Sequence, residues 1–543
     1  MSDDLALRGI IDRDPVTFEV VRSALYAICE EMKSVIMRTS FSPLLSLSAD
    51  LSCALLDAHG HVVAQGNDIP VHLGAVPFTA AAAFAAFPLN EWQPGDGVLL
   101  NDPYAGGTHL PDMSLITPAF DGEALLGFAM SRVHWPDVGG IAPGSSSVCD
   151  EIIKEGLRIP PLKIIEAGQV RSDVLRLILA NVRVPEDRHG DFRAQVAGNS
   201  RAVGRLIELA RRYDVAVLAD VMADSQTYSR RLVERRLLAL PDAVVRHSER
   251  LDGDGVEPAA APHVSVEVAK RGSSLTFDFA GSSPCVRGPI NAPLPVTAST
   301  VYYTLLVFAG GDVPPNAGAY SVVQIRVPER SIVNAAYPAP VVAANTETSN
   351  RLVDILLGAL ARAYPDRVPA GSYGSACVYT LGGIDPRQRR PFVHYETIGG
   401  GSGACKHRDG TNGVRVHMGN TMNLPVEAIE AAVPVRFRCY EIVRGSGGSG
   451  AHSGGAGVRK TLEMLADGID ASLLGERTKT PAAGIEGGSP GGCARFVWRR
   501  RDGTEIELGA KSGPHRLSEG DLLEIVTAGG GGWGDVAGKR EDR

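Results

Sequence analysis

From Pro15 onward the apolar positions Val20, Val21, Ala24, Leu25, Ile28, Met32, Val35 and Ile36 recur at helical spacing, and Asp14 stands where a cap is needed. The next segment, LSCALLDAHGHVVAQG, is two apolar runs joined by a short His-Gly turn and predicts a hairpin. An Ala-rich helix is expected over 77–87. Between Gly97 and Pro143 the pattern changes to short strands (GVLL, MSLIT, ALLGFAMSRV) separated by loops rich in Gly, Pro, Asp and His. Helical spacing returns over 171–240 with a break near Pro185. Its arginines (Arg211, Arg212, Arg230, Arg231, Arg235, Arg236) alternate with Glu208, Asp214 and Glu234, as on a solvated face. From His263 the run HVSVEVAKRGSSLTFDF alternates as strands do, and helices are expected near 297–309 and 347–363. The last quarter reads as strands and loops, with glycine runs at 399–403, 445–457 and 529–532. Together these elements predict a multidomain α+β fold of mostly antiparallel sheets and several helices. The stretch DGDGVEPAAAP (252–262) gives the clearest linker signal, dividing an N-terminal region, 1–251, from a strand- and glycine-rich region, 263–543. No internal repeat is visible.

Composition narrows the function classes. A chain of 543 residues is long enough for ~3 or 4 cores of roughly 150 residues. Its 54 basic and 62 acidic side chains leave a net charge of −8, which argues against a nucleic-acid or polybasic membrane binder. The uncharged stretches Ile69–Asn90 and Gly288–Gly311 are broken by prolines or diluted with Ser and Thr, so neither predicts a membrane span. Acids at the N-terminus do not suit a secretory leader. The eight cysteines include no CxxC pair, and reduced thiols in a cytoplasmic protein are expected.

The dense chemistry lies in NDPYAGGTHLPDMSLITP and SRVHWPDVGG. His109-x-x-Asp112 and His134-x-x-Asp137 are twin HxxD elements, each with a proline before its Asp (Pro111, Pro136) to pre-order the loop. Two imidazoles with one or two carboxylates suit a divalent ion of Mn, Fe or Zn type with open positions for water or substrate. Turn aspartates and satisfied core histidines are the plainer alternative. Gly106, Gly107, Gly139 and Gly140 are expected to let backbone approach a ligand. GSGGSG at 445–450 matches GxGxxG only formally within a glycine-saturated stretch, and GGSPG at 487–491 lacks the strand and helix of a nucleophile elbow. No nucleotide-triphosphate motif is present. His394 with Glu396, and Asn420 with Asn423, are weaker polar clusters.

The strings MRTSFSP, ADLSCALLDAHGHVVAQGNDIPVHLG, LLNDPYAGGTHLPD, HWPDVGG, VPPNAGAY, GNTMNLPVEAIE and AGGGGWGD, in this order, resemble the hydantoinase B/oxoprolinase family over about residues 14–537. That family includes the B subunit of ATP-dependent N-methylhydantoinases, the C-terminal half of 5-oxoprolinase and subunits of acetone and acetophenone carboxylases. The resemblance implies a hydantoinase A-like partner that binds ATP, which fits the missing triphosphate motif here. It implies a Mn-type ion held by His109, Asp112 and His134, and an acidic position near the site at Asp50. One departure is Leu47, which replaces a Glu common in the family. The implied activity is ATP-dependent hydrolysis of a cyclic amide, with Asp137 or Asp50 as general base or as an orienter of a histidine ligand. A ketone carboxylase subunit and a non-catalytic scaffold subunit are the alternatives.

Overall fold

The computed structural model describes residues 9–257 and 259–536; the acidic N-terminus, residues 1–8, lies outside the described residues, as do 537–543. The first long helix, α1 (Pro15–Thr39), begins where expected, with the Asp14 carboxylate accepting the Thr17 N–H at 3.1 Å and Pro15 in the first turn, where no N–H is required. Five further strands join the predicted hairpin of β1 (Leu51–Leu56) and β2 (Val62–Gln65) in one antiparallel sheet. They are β3 (Gly97–Leu100), β4 (Asp112–Asp121), β5 (Ala124–His134), β6 (Leu162–Glu166) and β7 (Gln169–Val170), in the order β2-β1-β5-β4-β3-β6-β7. Helices cover both faces of this sheet. Cys53, Leu55, Met113, Leu115 and Val133 face α1 and the long pair described below, whereas Ala54, Leu56, Ile116, Phe128 and Met130 face the Ala-rich helix. Burial on both faces is why LSCALL reads as an unbroken apolar run and not as an alternation.

Two helices follow β2: α2 (Pro70–Gly74) and the Ala-rich α3 (Val76–Ala86). The predicted helical region resolves into α4 (Ser172–Leu179), α5 (Pro185–Tyr213) and α6 (Val215–Leu238). Besides the expected break at Pro185 there is a second at Asp214, whose φ of 79° interrupts the helix and whose side chain caps α6 through the Ala216 N–H at 2.9 Å.

A second sheet comprises β8 (Ala243–Arg250), β9 (His263–Arg271), β10 (Ser274–Asp278) and β11 (Val323–Arg326), in the order β11-β10-β9-β8, with β10 and β11 parallel. Two mostly buried helices, α7 (Leu294–Ala309) and α8 (Ser349–Ala361), share its core. The register from Ala243↔Lys270 to Arg250↔His263 corrects the expected linker. Residues 252–262 join neighbouring strands of one sheet, and Asp252 and Asp254 within them are buried by polar contacts. The composition that suggested a flexible tether is that of a hydrogen-bonded connection.

The final quarter contains β12 (Val378–Asp385), β13 (Arg390–Thr397), β14 (Val435–Ile442), β15 (Val458–Met464), β16 (Ile469–Leu474), β17 (Arg495–Arg499), β18 (Glu505–Leu508), β19 (Lys511–Leu517) and β20 (Leu522–Val526). They form two antiparallel sheets, β13-β12-β16-β19 and β14-β15-β20-β17-β18. The glycine runs beside them are interior backbone. Gly448 N–H donates to Gly530 O at 2.8 Å, Gly530 N–H to Gly455 O at 2.9 Å, and Gly455 N–H to Ser402 O at 2.9 Å. A Cβ on Gly530 would lie 2.0 Å from Ser402 O, so close approach, not a left-handed conformation, demands glycine there. The formal GxGxxG belongs to this lattice. Ser489 of the GxSxG match is likewise tied up, its Oγ accepting the Ser449 N–H at 2.7 Å. Among the described residues no helix is long and apolar enough to cross a membrane.

Candidate metal centre

Strand ends of the first sheet build the site. Asp112 opens β4 and His134 closes β5, and the two are paired in register. Leu51 pairs with Val133, and the His134 N–H donates to Asp50 O at 3.1 Å, so Asp50 arrives beside them at the start of β1. His109 comes from the turn before β4, where the Asp112 N–H donates back to His109 O at 3.0 Å.

His109, Asp112 and His134, the set the family resemblance implies, converge. His109 Nε2 lies 2.9 Å from Asp112 Oδ1 and 3.2 Å from His134 Nδ1, which is itself 3.3 Å from the same oxygen. All three side chains are buried. The other carboxylate oxygen, Oδ2, is occupied by protein donors. Thr108 Oγ1 donates to it, Asn345 Nδ2 lies at 3.4 Å and His72 Nε2 at 3.2 Å. Ser52 Oγ accepts the Ile69 N–H at 3.2 Å and donates to His72 Nδ1 at 3.2 Å, leaving His72 Nε2 to carry its proton toward Asp112.

This division tests whether the residues fit a divalent ion. Oδ1 and two imidazole nitrogens face one point, and ligand atoms held about 2.1 Å from one ion at right angles lie about 3 Å apart. The donor set fits the two-histidine, one-carboxylate arrangement of a Mn, Fe or Zn ion. Burial disfavours charge on His134 and pushes its pKa down to about 4, and it pushes His72 down too. Burial also opposes the charge on Asp112, but His109 and His72 outweigh it and hold the carboxyl well below the usual range.

A small cavity of about 40 Å³ adjoins the cluster, lined by His72, Asp50, His134, Asn345, Tyr395 and Arg415 among others. The Tyr395 ring lies 4.2 Å from that of His134, centroid to centroid. Burial, reinforced by the charge of Asp112, raises the Asp50 carboxyl well above the ordinary range. Asn345 Oδ1 is buried without a partner.

Asp137 stands elsewhere. Its Oδ1 accepts the N–H groups of Gly139 and Arg183, each at 3.0 Å, and its Oδ2 accepts the Gly144 N–H at 3.2 Å and Arg183 Nη1 at 2.9 Å. Four donors fill the lone pairs of a carboxylate, so the residue read as a general base anchors its own loop. The glycines expected near a ligand also serve the fold: a Cβ on Gly106 would lie 2.4 Å from Phe78 O, and one on Gly139 2.5 Å from Asn181 O. His394 and Glu396 belong to a separate cluster with Tyr379, in which buried Lys460 pairs with Glu396. Asn420 donates to Asn67 O at 3.1 Å. Leu47 is partly exposed, at 42 %.

Sequence reasoning missed His72, Asn345 and Arg415. His72 lies within NDIPVHLG but in no recurrent spacing. Asn345 had a faint signal, because ANTETSN places a polar run at the head of an otherwise apolar helix.

The hydantoinase B/oxoprolinase family matches residues 14–536, and the chain belongs to that family. It is 36 % identical over 529 residues to an uncharacterized protein of Methanocaldococcus jannaschii, covering 96 % of this chain and 91 % of that one. It is 32 % identical to the caprolactamase subunit beta of Pseudomonas jessenii, covering 96 % and 91 %. It is also 32 % identical to 5-oxoprolinase 1 of Arabidopsis thaliana, but there the match covers 96 % of this chain and spans only 42 % of the plant protein. The crystal structure of the ATP-dependent caprolactamase from Pseudomonas jessenii superposes with a TM-score of 0.88 at 31 % identity, covering 96 % of this chain and 91 % of that one. A nucleotide-free acetone carboxylase structure superposes with a TM-score of 0.89 over 97 % of this chain and 76 % of that one; at 20 % identity this likeness is one of fold.

Proposed function

We propose that this chain is the metal-bearing subunit of an ATP-dependent cyclic-amide hydrolase and acts with a hydantoinase A-like, ATP-binding partner. The observation that carries the reading is the pairing of a two-histidine, one-aspartate cluster with a small cavity that reaches His134. Similarity to a caprolactamase beta subunit along nearly the whole chain supports the substrate class and a separate partner. His109, Asp112 and His134 would hold the ion, which when bound supplies Lewis acidity toward the amide oxygen and activates water at neutral pH. His72, Thr108 and Asn345 orient Asp112 by occupying Oδ2. Asn345 Oδ1, buried and unpartnered, is placed to accept the ring N–H of a lactam, a contact that a ketone substrate does not supply. Asp50, at the cavity wall, is the group to exchange a proton with the substrate or with water, while Asp137 keeps to its loop. Phosphorylation of the amide oxygen by the partner would make it a leaving group, overcoming amide resonance before hydrolysis here.

The test is elemental analysis of the purified chain beside the His109→Ala/His134→Ala variant, followed by lactam hydrolysis with the ATP-binding partner. About one Mn, Fe or Zn per chain, lost in the variant together with ATP-dependent ring opening, is expected. A folded chain that takes up no metal even after loading supports the scaffold alternative, and turnover that requires bicarbonate supports a carboxylase.

A further inference from the structure

At the head of α8 the residues Ala344–Thr348 form a wide π-helical turn, a form that recurs at functional sites. Asn345 reaches Asp112 from this turn, and two positions on Glu347 is wholly buried. Glu347 Oε2 shares a hydrogen bond with Ser375 Oγ, while Oε1 is buried without a partner. Among the described residues no cation forms an ion pair with this carboxyl. Other buried acids differ. Glu476 is matched by Lys511 and Arg351, Glu396 by Lys460, and Asp354 by Arg477. Glu155 also lacks a cation, but two main-chain N–H groups hold it. Of the charges that reach Glu347, Lys511 and Glu476 are paired with each other, and burial keeps the nearby Tyr373, Tyr395 and Cys377 protonated. A buried carboxylate with one hydroxyl for company is costly, whereas the neutral acid needs only one acceptor for its proton. Burial accordingly pushes the Glu347 carboxyl up to about 8, so it holds its proton at neutral pH.

Ser375 lines the cavity that reaches His134. Its Oγ accepts the Cys377 N–H at 2.8 Å, which leaves it one lone pair and one proton. With that lone pair taking the Glu347 proton, the Ser375 proton is free to turn into the cavity. We propose that Glu347 stores a proton for the site and that Ser375 relays it into the cavity. The step it serves rests on the cyclic-amide reading. When the ring C–N bond breaks, the leaving nitrogen takes the Ser375 Oγ proton, Ser375 Oγ takes the Glu347 Oε2 proton, and Glu347 is left as a carboxylate. The hydroxyl that water adds at the carbonyl carbon releases its proton to solvent as the carbonyl re-forms. Glu347 regains a proton from solvent through the same serine after the product leaves. Ser375 is thus the group that meets the nitrogen, and Glu347 acts through it.

Infrared spectroscopy of the full chain at neutral pH tests the relay without any substrate. The expected result is a C=O stretching band of a protonated carboxyl that is missing from Glu347→Gln and that shifts promptly on transfer to D₂O. In Ser375→Ala the band should remain, displaced by the lost hydrogen bond, and its deuterium exchange should slow to the rate of local opening of the fold. Lactam hydrolysis with the ATP-binding partner then reads the chemical step. Glu347→Gln and Ser375→Ala should each lower kcat about 100-fold or more with KM unchanged, whereas Ser375→Thr, which keeps the hydroxyl, should retain most of the activity. Unchanged melting of the variants excludes a folding defect. A carboxyl band identical in Glu347→Gln means an ionised Glu347 and overturns the proposal. Exchange as fast in Ser375→Ala as in the unmodified chain overturns the route through the serine. Unchanged kcat in Glu347→Gln overturns the part in ring opening. If the unmodified chain opens no lactam while the infrared results stand, the cyclic-amide reading fails and the proton path survives.

Discussion

Asp112 and His134 are an in-register pair at the end of the β4–β5 ladder, with Asp112 Oδ1 3.3 Å from His134 Nδ1. The hairpin that joins them thus delivers two candidate ligand atoms to one point, and the turn before β4 adds His109. Asp112→Asn keeps the side-chain volume and the strand pairing but replaces the charge. It should lower metal affinity by about 100-fold or more, at least the upper end of what loss of a supporting contact costs, with the circular dichroism spectrum unchanged. Metal titration of the apo chain gives the answer directly.

His72 acts one step further out. It touches Asp112 Oδ2, while Ser52 fixes its tautomer. His72→Ala should reduce metal affinity by about 10–100-fold, and His72→Gln, which retains an N–H donor, should lose less. Equal losses in the two variants would show that packing, and not the donated hydrogen bond, is what His72 contributes.

A buried ionic network joins the second and third sheets. Glu476 receives Arg351 at 2.6 Å and Lys511, and it also accepts the Asp252 N–H at 3.2 Å. Removing it leaves two buried cations short of a partner. Glu476→Ala should destabilise the chain by about 3–5 kcal/mol, read from the denaturant midpoint. A loss below about 1 kcal/mol would mean that water reaches these groups on unfolding of a local segment only.

Glu155 gives the chain a pH signature. Its Oε1 accepts the N–H groups of Val341 at 2.6 Å and Val342 at 2.9 Å, while Oε2 is buried without a partner. Burial raises its pKa to about 8, above the usual carboxyl range. A raised folded-state pKa means that the folded chain holds this proton where the unfolded chain has released it. Stability from this group is therefore full below about pH 4 and falls as pH rises toward 8, at up to about 1.4 kcal/mol per pH unit. Glu155→Gln mimics the protonated form, so its melting temperature should fall less than that of the unmodified chain between pH 5 and 8. Parallel curves would be evidence against a buried, protonated Glu155.

The glycine lattice makes a sharper structural prediction. Gly530→Ala introduces a Cβ 2.0 Å from Ser402 O, and Gly455→Ala one 2.1 Å from Thr411 O. Both carbonyls belong to backbone held by hydrogen bonds, so neither can move aside cheaply. Each substitution should yield insoluble or markedly destabilised protein, whereas Gly272→Ala, with open space around it, costs only the strain of its positive φ, roughly 1 kcal/mol. Soluble expression and melting temperature distinguish them.

The local rules of the chain were legible before any coordinates. Asp14 and Pro15 specify the start of α1, the His-Gly turn specifies the β1–β2 hairpin, and the twin HxxD elements mark the strand ends where His109, Asp112 and His134 meet, because each of these depends on neighbours within a turn or a hairpin. The same reading misjudged 252–262 and the glycine runs, since a polar, glycine-rich composition looks alike whether its backbone meets water or another strand. Asp137 matched the second HxxD and was read as chemistry, but Arg183, 46 positions away, takes its carboxylate. Only the order of strands in the sheets brings Asp50, His72, Asn345 and Arg415 around one cavity, from positions whose spacing carries no period. Sequence periodicity encodes which face of an element is buried; which elements lie side by side is settled by the packing of those faces against one another, and the site is built where they meet.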